Sequence, residues 1–295
     1  MSKGVLFSVI SSVLFATLYF YSTLLVPLNG EEIFGWRTLL TIPFLTIFLW
    51  RSGQWTHIQV WAQRMRQRPL LIVGALATSA FLGVQLWLFM WAPLHGRALQ
   101  VSLGYFLLPL TMLLTGRIVY KERLSRLQNL AAICAAFGVT NELIQVGSFS
   151  WETMLVAFGY PCYFVLRQKM GSNNLGGLWF DMALLLPAGL WFVHAGAVGF
   201  TGIVDHTALY FLIPLLGLLS VVALIFYMVA SQTLSLSLFG LLGYVEPVLL
   251  VFVALLLGEQ IKNHEWLTYI PIWMAVLLLI VEGVKSIYTR RNLDK

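Results

Sequence analysis

Charge is scarce in this chain: Asp, Glu, Lys and Arg make up 10% of its 295 residues, against about 25% in a soluble globular protein. That shortage excludes a water-solvated surface over most of the molecule. Cysteine is scarcer still. The two present, Cys134 and Cys162, both sit in apolar stretches without C-x-x-C spacing, which excludes a disulfide framework and a cysteine-based zinc module. No G-x-x-x-x-G-K-[ST] loop occurs, so phosphate-loop ATP hydrolysis is excluded. "NHEW" at 263–266 lacks the second histidine of H-E-x-x-H, the five histidines are scattered, and there is no nucleophile elbow. The chain is read as a non-enzyme with no cofactor and no metal.

Hydrocarbon is what it has. Hydrophobic residues are 59% of the chain and the mean hydropathy is +0.84. Apolar runs of membrane-crossing length recur from end to end, each long enough for about 30 Å of bilayer core. They lie near 4–28, 33–50, 70–92, 98–117, 127–145, 151–167, 176–194, 208–230, 235–257 and 266–285. The first, behind Lys3, is too long for a signal-peptide core and lacks an A-x-A site, so it reads as a retained helix. The fold expected is an all-α polytopic membrane protein with ten transmembrane helices.

The net charge of +6 does not call for nucleic acid, because cytoplasmic loops of membrane proteins collect Lys and Arg. With the N-terminus inside, fifteen basic residues fall in inside segments, Arg97 and Lys262 fall outside, and Arg37 lies within a span. This bias places both termini in the cytoplasm.

Ten spans divide into two fives. "SLGYFLLPLTMLLTGRIVYKERL" (102–124) resembles "LFGLLGYVEPVLLVFVALLLGEQI" (238–261): Gly-Tyr, a proline, an apolar run, then Glu122 or Glu259. Arg37 precedes Pro43 by six residues, and Asp181 precedes Pro187 by six. An odd-numbered unit inserts its second copy upside down, as in secondary transporters built from inverted repeats. The halves expected are 1–146 and 147–295. Eight of the ten prolines lie in or at the rim of spans, read either as ordinary kinks or as breaks that line a cavity.

"SLGYFLLPL", "YKERL" and "GYVEP…LLLGEQ" resemble the drug/metabolite transporter superfamily, and within it the EamA family. "EEIFGWRTLLTIPF", "FMWAPL" and the "YTRR" tail are similar to RarD-type permeases. The chain departs from that group at Gln85-Leu86, where Asn-Trp is expected. The resemblance implies a two-repeat carrier around a central cavity that exports small organic metabolites.

Ionisable groups inside a span are costly and are functional candidates by default. Arg37 lies about 7 Å to the periplasmic side of its span's middle, and Asp181 about 6 Å to the cytoplasmic side of its own. At about 13 Å along the membrane normal they are too far apart to pair, and read as one charge in each half of a pathway. The bland alternatives are a snorkelling rim anchor beside Trp36 for Arg37 and a helix-start acid for Asp181. Glu246, at mid-span before Pro247, is a candidate proton carrier or a protonated acid bonding a neighbouring helix. Glu282 and Lys285, three apart, read as a surface ion pair.

Gln85 and Trp87 are about 200° apart on a helix, whereas Gln85, Leu88, Trp91 and Ala92 share a stripe. Trp91 is therefore the cavity candidate and Trp87 the lipid-facing ring. Tyr105 stands on a stripe with Ser102, Pro109 and Met112, and Tyr244 on one with Ser237, Gly240 and Pro247. Packing through small residues is the alternative for both. The loop at 51–69 reads as a solvated basic face.

The substrate contacts expected are thus Arg37, Gln85, Trp91, Tyr105, Asp181, Tyr244 and Glu246. The function expected is an inner-membrane secondary transporter that exports small organic metabolites or drugs by alternating access. Its partners are a small organic solute, the lipid bilayer and protons as candidate coupling ion, without nucleic acid or an obligate protein partner. An importer or bidirectional facilitator of amino-acid-like or aromatic solutes is the alternative. From another class, a non-transporting scaffold remains.

The orientation is testable in a background lacking Cys134 and Cys162. A cysteine at Gly147 should react with an impermeant thiol reagent added outside intact cells, and one at Gln63 should not. The reverse pattern rejects both the orientation and the inverted repeat.

Overall fold

Asn29 and Glu32 show how this chain starts a helix at a membrane boundary. The Asn29 side chain accepts from the Glu32 N–H at 2.8 Å, and the Glu32 carboxylate accepts from the Asn29 N–H at 3.1 Å. This reciprocal box satisfies two end N–H groups and places acids at the positive end of the helix dipole.

The computed structural model describes residues 3–94, 97–146, 150–256 and 266–293, and the regular structure among them is helical throughout. The α-helices are α1 (Lys3–Ser22), α2 (Gly30–Arg51), α3 (Trp55–Gln67), α4 (Leu70–Leu94), α5 (Ala98–Tyr120), α6 (Arg126–Val146) and α7 (Trp151–Met170). They continue as α8 (Leu175–Leu184), α9 (Leu186–Ala195), α10 (Leu209–Thr233), α11 (Leu236–Leu242), α12 (Val245–Leu256) and α13 (Trp266–Leu293). Glu259, Lys262, residues 263–265 of "NHEW" and Gly147 lie outside the described residues, as does the side chain of Lys285.

Among the described residues, six helices are long and apolar enough to cross a membrane, and the bent pair α8–α9 makes a seventh. The protein is an all-α, multi-pass membrane protein. Every expected span coincides with a helix or a helix pair, but two are not continuous. Span 7 bends by 42° between α8 and α9. Pro187 sits in the first turn of α9, where its missing N–H costs nothing. Span 9 breaks at Gly243 and Tyr244, which puts Pro247 in the first turn of α12. The Glu246 N–H reaches back to the Gly243 carbonyl at 3.3 Å, the carbonyl that a mid-helix residue 247 would have served. The prolines of these two spans, read as kinks or cavity-lining breaks, stand instead in the first turn of a new helix.

The chain forms two compact units. Unit 1 holds residues 1–16, 99–161 and 229–295, and unit 2 holds 17–98 and 162–228. In unit 1, α6 packs against α13. A methyl at Gly138 would lie 2.6 Å from the Thr268 carbonyl, so glycine is what lets the two backbones approach. The contact is completed by Asn141 Nδ2 donating to Thr268 Oγ1 at 2.9 Å, and by that hydroxyl donating to Glu142 at 3.0 Å. The short helix α11 is held at its start by Glu122, whose two carboxylate oxygens accept from the Leu236 and Ser237 N–H groups at 2.8 Å each.

In unit 2, α2 packs on α4, α8 and α9, and α4 packs on α8. The loop at 51–69 is not merely a solvated basic segment, because it contains α3. Ile58 and Trp61 of α3 are buried. Arg64 donates to the Met170 carbonyl at 2.7 Å and lies over the Trp61 ring. Together with Trp55, whose ring meets Trp179 of α8 edge-on at 6.4 Å, Ile58 and Trp61 dock the helix onto α4 and α8.

Candidate functional site

The polar groups buried in unit 2 converge on Asp181 in α8. Thr78 of α4 donates to Asp181 Oδ1 at 2.6 Å, and Tyr163 of α7 donates to Oδ2 at 3.0 Å. Arg167 Nη1 completes the set with an ion pair to Oδ2 at 2.6 Å. The Arg167 Nη2 donates to the carbonyls of Ser172 and Asn174 at 2.5 and 2.7 Å, in the turn between α7 and α8. Ser79 donates to the Asp181 backbone carbonyl at 2.9 Å. Arg167 is 0% exposed. Gly177 makes room for it: a methyl there would lie 2.7 Å from Nη2 and 2.1 Å from the Ser172 carbonyl. The cluster ties α4, α7 and α8 together around one neutralised charge.

This placement corrects two expectations. Arg167 is not an exposed loop residue but a buried one in the last turn of α7. Asp181 is neither a lone charge of a pathway nor a plain helix-start acid, because its carboxylate is engaged by Arg167, Tyr163 and Thr78. A buried acid needs a cation or donors, and the nearest arginine in sequence lies fourteen residues back, across a short turn. Four residues before that arginine, on the same helix face, stands Tyr163. Those spacings were the legible signal.

Arg37 is 7% exposed and Gln85 is 1% exposed. A snorkelling arginine leaves its guanidinium in the headgroups, whereas this one is enclosed. Arg37 lies seven residues into α2, or about 10 Å from its start, and Gln85 nine residues from the end of α4, or about 14 Å. The two helices pack together. On α4 the buried stripe runs through Thr78, Leu82, Gln85, Leu88 and Ala92. Trp91 leaves that stripe. Its ring packs on Trp87 at 5.1 Å and both are half-buried, so the expected division between a cavity ring and a lipid ring does not hold. Side chains four apart meet more readily than the wheel angle to Gln85 suggested.

Tyr105, Tyr244 and Glu246 belong to unit 1. Tyr244 is fully buried and donates to the Phe106 carbonyl at 2.9 Å, fastening the break in span 9 to α5. Tyr105 and Glu246 are half-buried. Glu246 occupies the first turn of α12, where the helix dipole favours an acid. Arg37, Gln85, Trp91 and Asp181 therefore share unit 2, while the other three share unit 1. Glu122 was legible as a repeat marker, but not as the cap of α11. Among the described residues, no group of three His, Cys, Asp or Glu could hold a metal.

Residues 2–141 match the EamA-like transporter family. The chain is 44% identical over 292 residues to an uncharacterized transporter of Pasteurella multocida, covering 98% of this chain and 99% of that one. It is 42% identical over 280 residues to the chloramphenicol-sensitive protein RarD of Pseudomonas aeruginosa, covering 94% and 93%. It is 27% identical over 296 residues to protein RarD of Escherichia coli, covering 99% and 98%. A solved crystal structure superposes with TM-score 0.69 at 15% identity, covering 95% of this chain and 98% of that one, a likeness of fold.

Removing either member of the ion pair strands the other charge in an apolar interior, at a cost of about 3 to 5 kcal/mol. Arg167→Gln and Asp181→Asn should each lower the melting temperature of the detergent-solubilised protein sharply. The double variant should melt above both singles. A double variant no more stable than the worse single would show that the pair is not coupled.

Proposed function

The chain belongs to the EamA-like transporter family, with RarD-type relatives, and on that premise we propose that it is an inner-membrane secondary transporter exporting small organic solutes. The observation that carries the site is Arg37, an enclosed guanidinium on α2, which packs on the helix that carries the buried amide of Gln85. Its planar fork donates two parallel hydrogen bonds and keeps its charge at any physiological pH, which suits a carboxylate or another oxygen-rich group. Gln85, on α4, adds an amide donor and acceptor. The Trp87–Trp91 pair supplies an aromatic wall towards the end of α4. In unit 1, Tyr105 is a solute contact and Glu246 the proton carrier.

Ten spans in two inverted halves, 1–146 and 147–295, with both termini cytoplasmic, form the frame of this reading. It is supported by how the units divide the chain. In each half the two ends enter unit 1 and the middle enters unit 2, with the first crossover at 16 in one half and 161 in the other. Helix partners follow the same rule: span 2 packs on span 7, and span 5 on span 10. Alternating access between the halves then moves the solute.

Vesicles reconstituted with the purified protein test the assignment. Solutes are first ranked by thermal stabilisation, since a ligand binding only the folded state raises the melting temperature. Amino acids, aromatic metabolites and chloramphenicol are the probes, the last chosen for the printed name of the Pseudomonas relative. For the solute so found, Arg37→Lys and Arg37→Gln should each cut transport by about tenfold or more, the worth of a hydrogen bond to a charged group. Near-normal transport by a folded lysine variant rejects the clamp, because a single ammonium cannot replace the fork.

Glu246→Gln isolates the coupling. Uphill transport driven by a pH gradient should disappear, while exchange of labelled for unlabelled solute across the vesicle membrane continues. Uphill transport at the wild-type rate removes Glu246 from proton coupling.

A further inference from the structure

The helix α3 joins two helices of membrane-crossing length and apolarity, α2 ending at Arg51 and α4 beginning at Leu70. It therefore lies at the level where both leave the hydrocarbon. Its docking uses up Trp55, Ile58 and Trp61 on one side. What remains outward is of one sign. Arg51, Arg66 and Arg68 are exposed, and so is Lys169 in the last turn of α7, next to the carbonyls that Arg64 grips. No exposed carboxylate balances them at this end of unit 2. Of that unit's four acids, Glu31 and Glu32 stand at the opposite end of α2, and Asp181 is buried on Arg167. The fourth, Asp205, follows α9 in the turn Gly202–Asp205, away from the start of α8 where α3 docks.

Apolar side chains stand among these cations. Trp50 is 70% exposed, Val60 55% and Leu70 81%, which is a surface for acyl chains rather than for water. Between α3 and the turn after α7 lies an open cavity of about 170 Å³ whose lining includes His57, Arg64 and Asn174, with Trp61 and Val60 at its side. These are hydrogen-bond donors and a guanidinium beside apolar walls. From this juxtaposition we propose that α3 and the turn at 169–174 bind the phosphodiester headgroup of an anionic phospholipid. The headgroup phosphate sits against His57 and Arg64, the surrounding cations hold its negative field, and the chains lie along Trp50, Val60 and Leu70. Clusters of Lys and Arg on an interfacial helix attract anionic lipid by about 1 kcal/mol per charge, and a helix with this pattern lies in the interface plane. A soluble anion would use the cations but has no use for the exposed apolar residues.

The test uses the full-length protein in neutral detergent, melted in the presence of phosphatidylglycerol, phosphatidylcholine with the same chains, or inorganic phosphate. Phosphatidylglycerol should raise the melting temperature, and the other two should not. The variant R66Q/R68Q/K169Q, which touches only exposed side chains, should melt normally in phosphatidylcholine. It should bind phosphatidylglycerol about fivefold more weakly per charge removed, or about a hundredfold in all. Equal stabilisation by both lipids, the same shift from inorganic phosphate, or a wild-type response of the triple variant overturns the proposal. If the triple variant folds poorly, native mass spectrometry of the wild type in an equimolar lipid mixture decides, and equal occupancy by the two lipids overturns it.

Discussion

A charge buried in hydrocarbon needs its partner inside the protein, and the Arg167–Asp181 pair is where this molecule meets that constraint most severely. Separately, each group would carry a desolvation penalty of several kcal/mol. Together they neutralise each other, and Thr78, Tyr163 and two turn carbonyls supply further hydrogen bonds. Because these donors and acceptors come from three helices and one turn, pairing the charge also sets the positions of α4, α7 and α8. The position of Gln85 follows from this, since it stands two turns along α4 from Thr78. The seat of α3 follows too, since Arg64 reads the carbonyls at the end of the turn that Arg167 holds.

The same rule governs the backbone. A helix that breaks inside a membrane exposes N–H and C=O groups that water does not reach, and each break here is supplied locally. Span 7 restarts at a proline that has no N–H to satisfy. Span 9 starts on the carboxylate of Glu122 and the hydroxyl of Ser235, and its break is held by the Tyr244 hydroxyl on the Phe106 carbonyl. Two residues suspected of touching solute, Asp181 and Tyr244, thus spend their polar atoms on structure. Arg37 and Gln85 are enclosed on two packed helices of unit 2, and they are the groups the proposed clamp uses.

Legibility followed range. Spans and the family resemblance depend on residues within one helix length of each other, and helices lie where the hydropathy runs placed them among the described residues. The α3 helix was hidden because its docked apolar side is short, Trp55, Ile58 and Trp61, and is interspersed with basic and amide residues. The contact between Trp87 and Trp91 was not read because an ideal wheel sets angles from Cα positions, while a large ring reaches its i–4 neighbour. The role of Asp181 was misjudged because its cation sat in the neighbouring helix, where an arginine near a span end reads as a loop residue.

By itself, the sequence determined that this is an all-α membrane protein of the EamA-like family, because hydrophobic length, basic bias and motif spacing are properties of the chain read in order. Tertiary structure alone decided which buried polar groups meet, as Arg167 meets Asp181. That depends on distances of a few ångströms between helices far apart in sequence. Electrostatic and hydrogen-bond energies in a low-dielectric interior change by several kcal/mol over such distances.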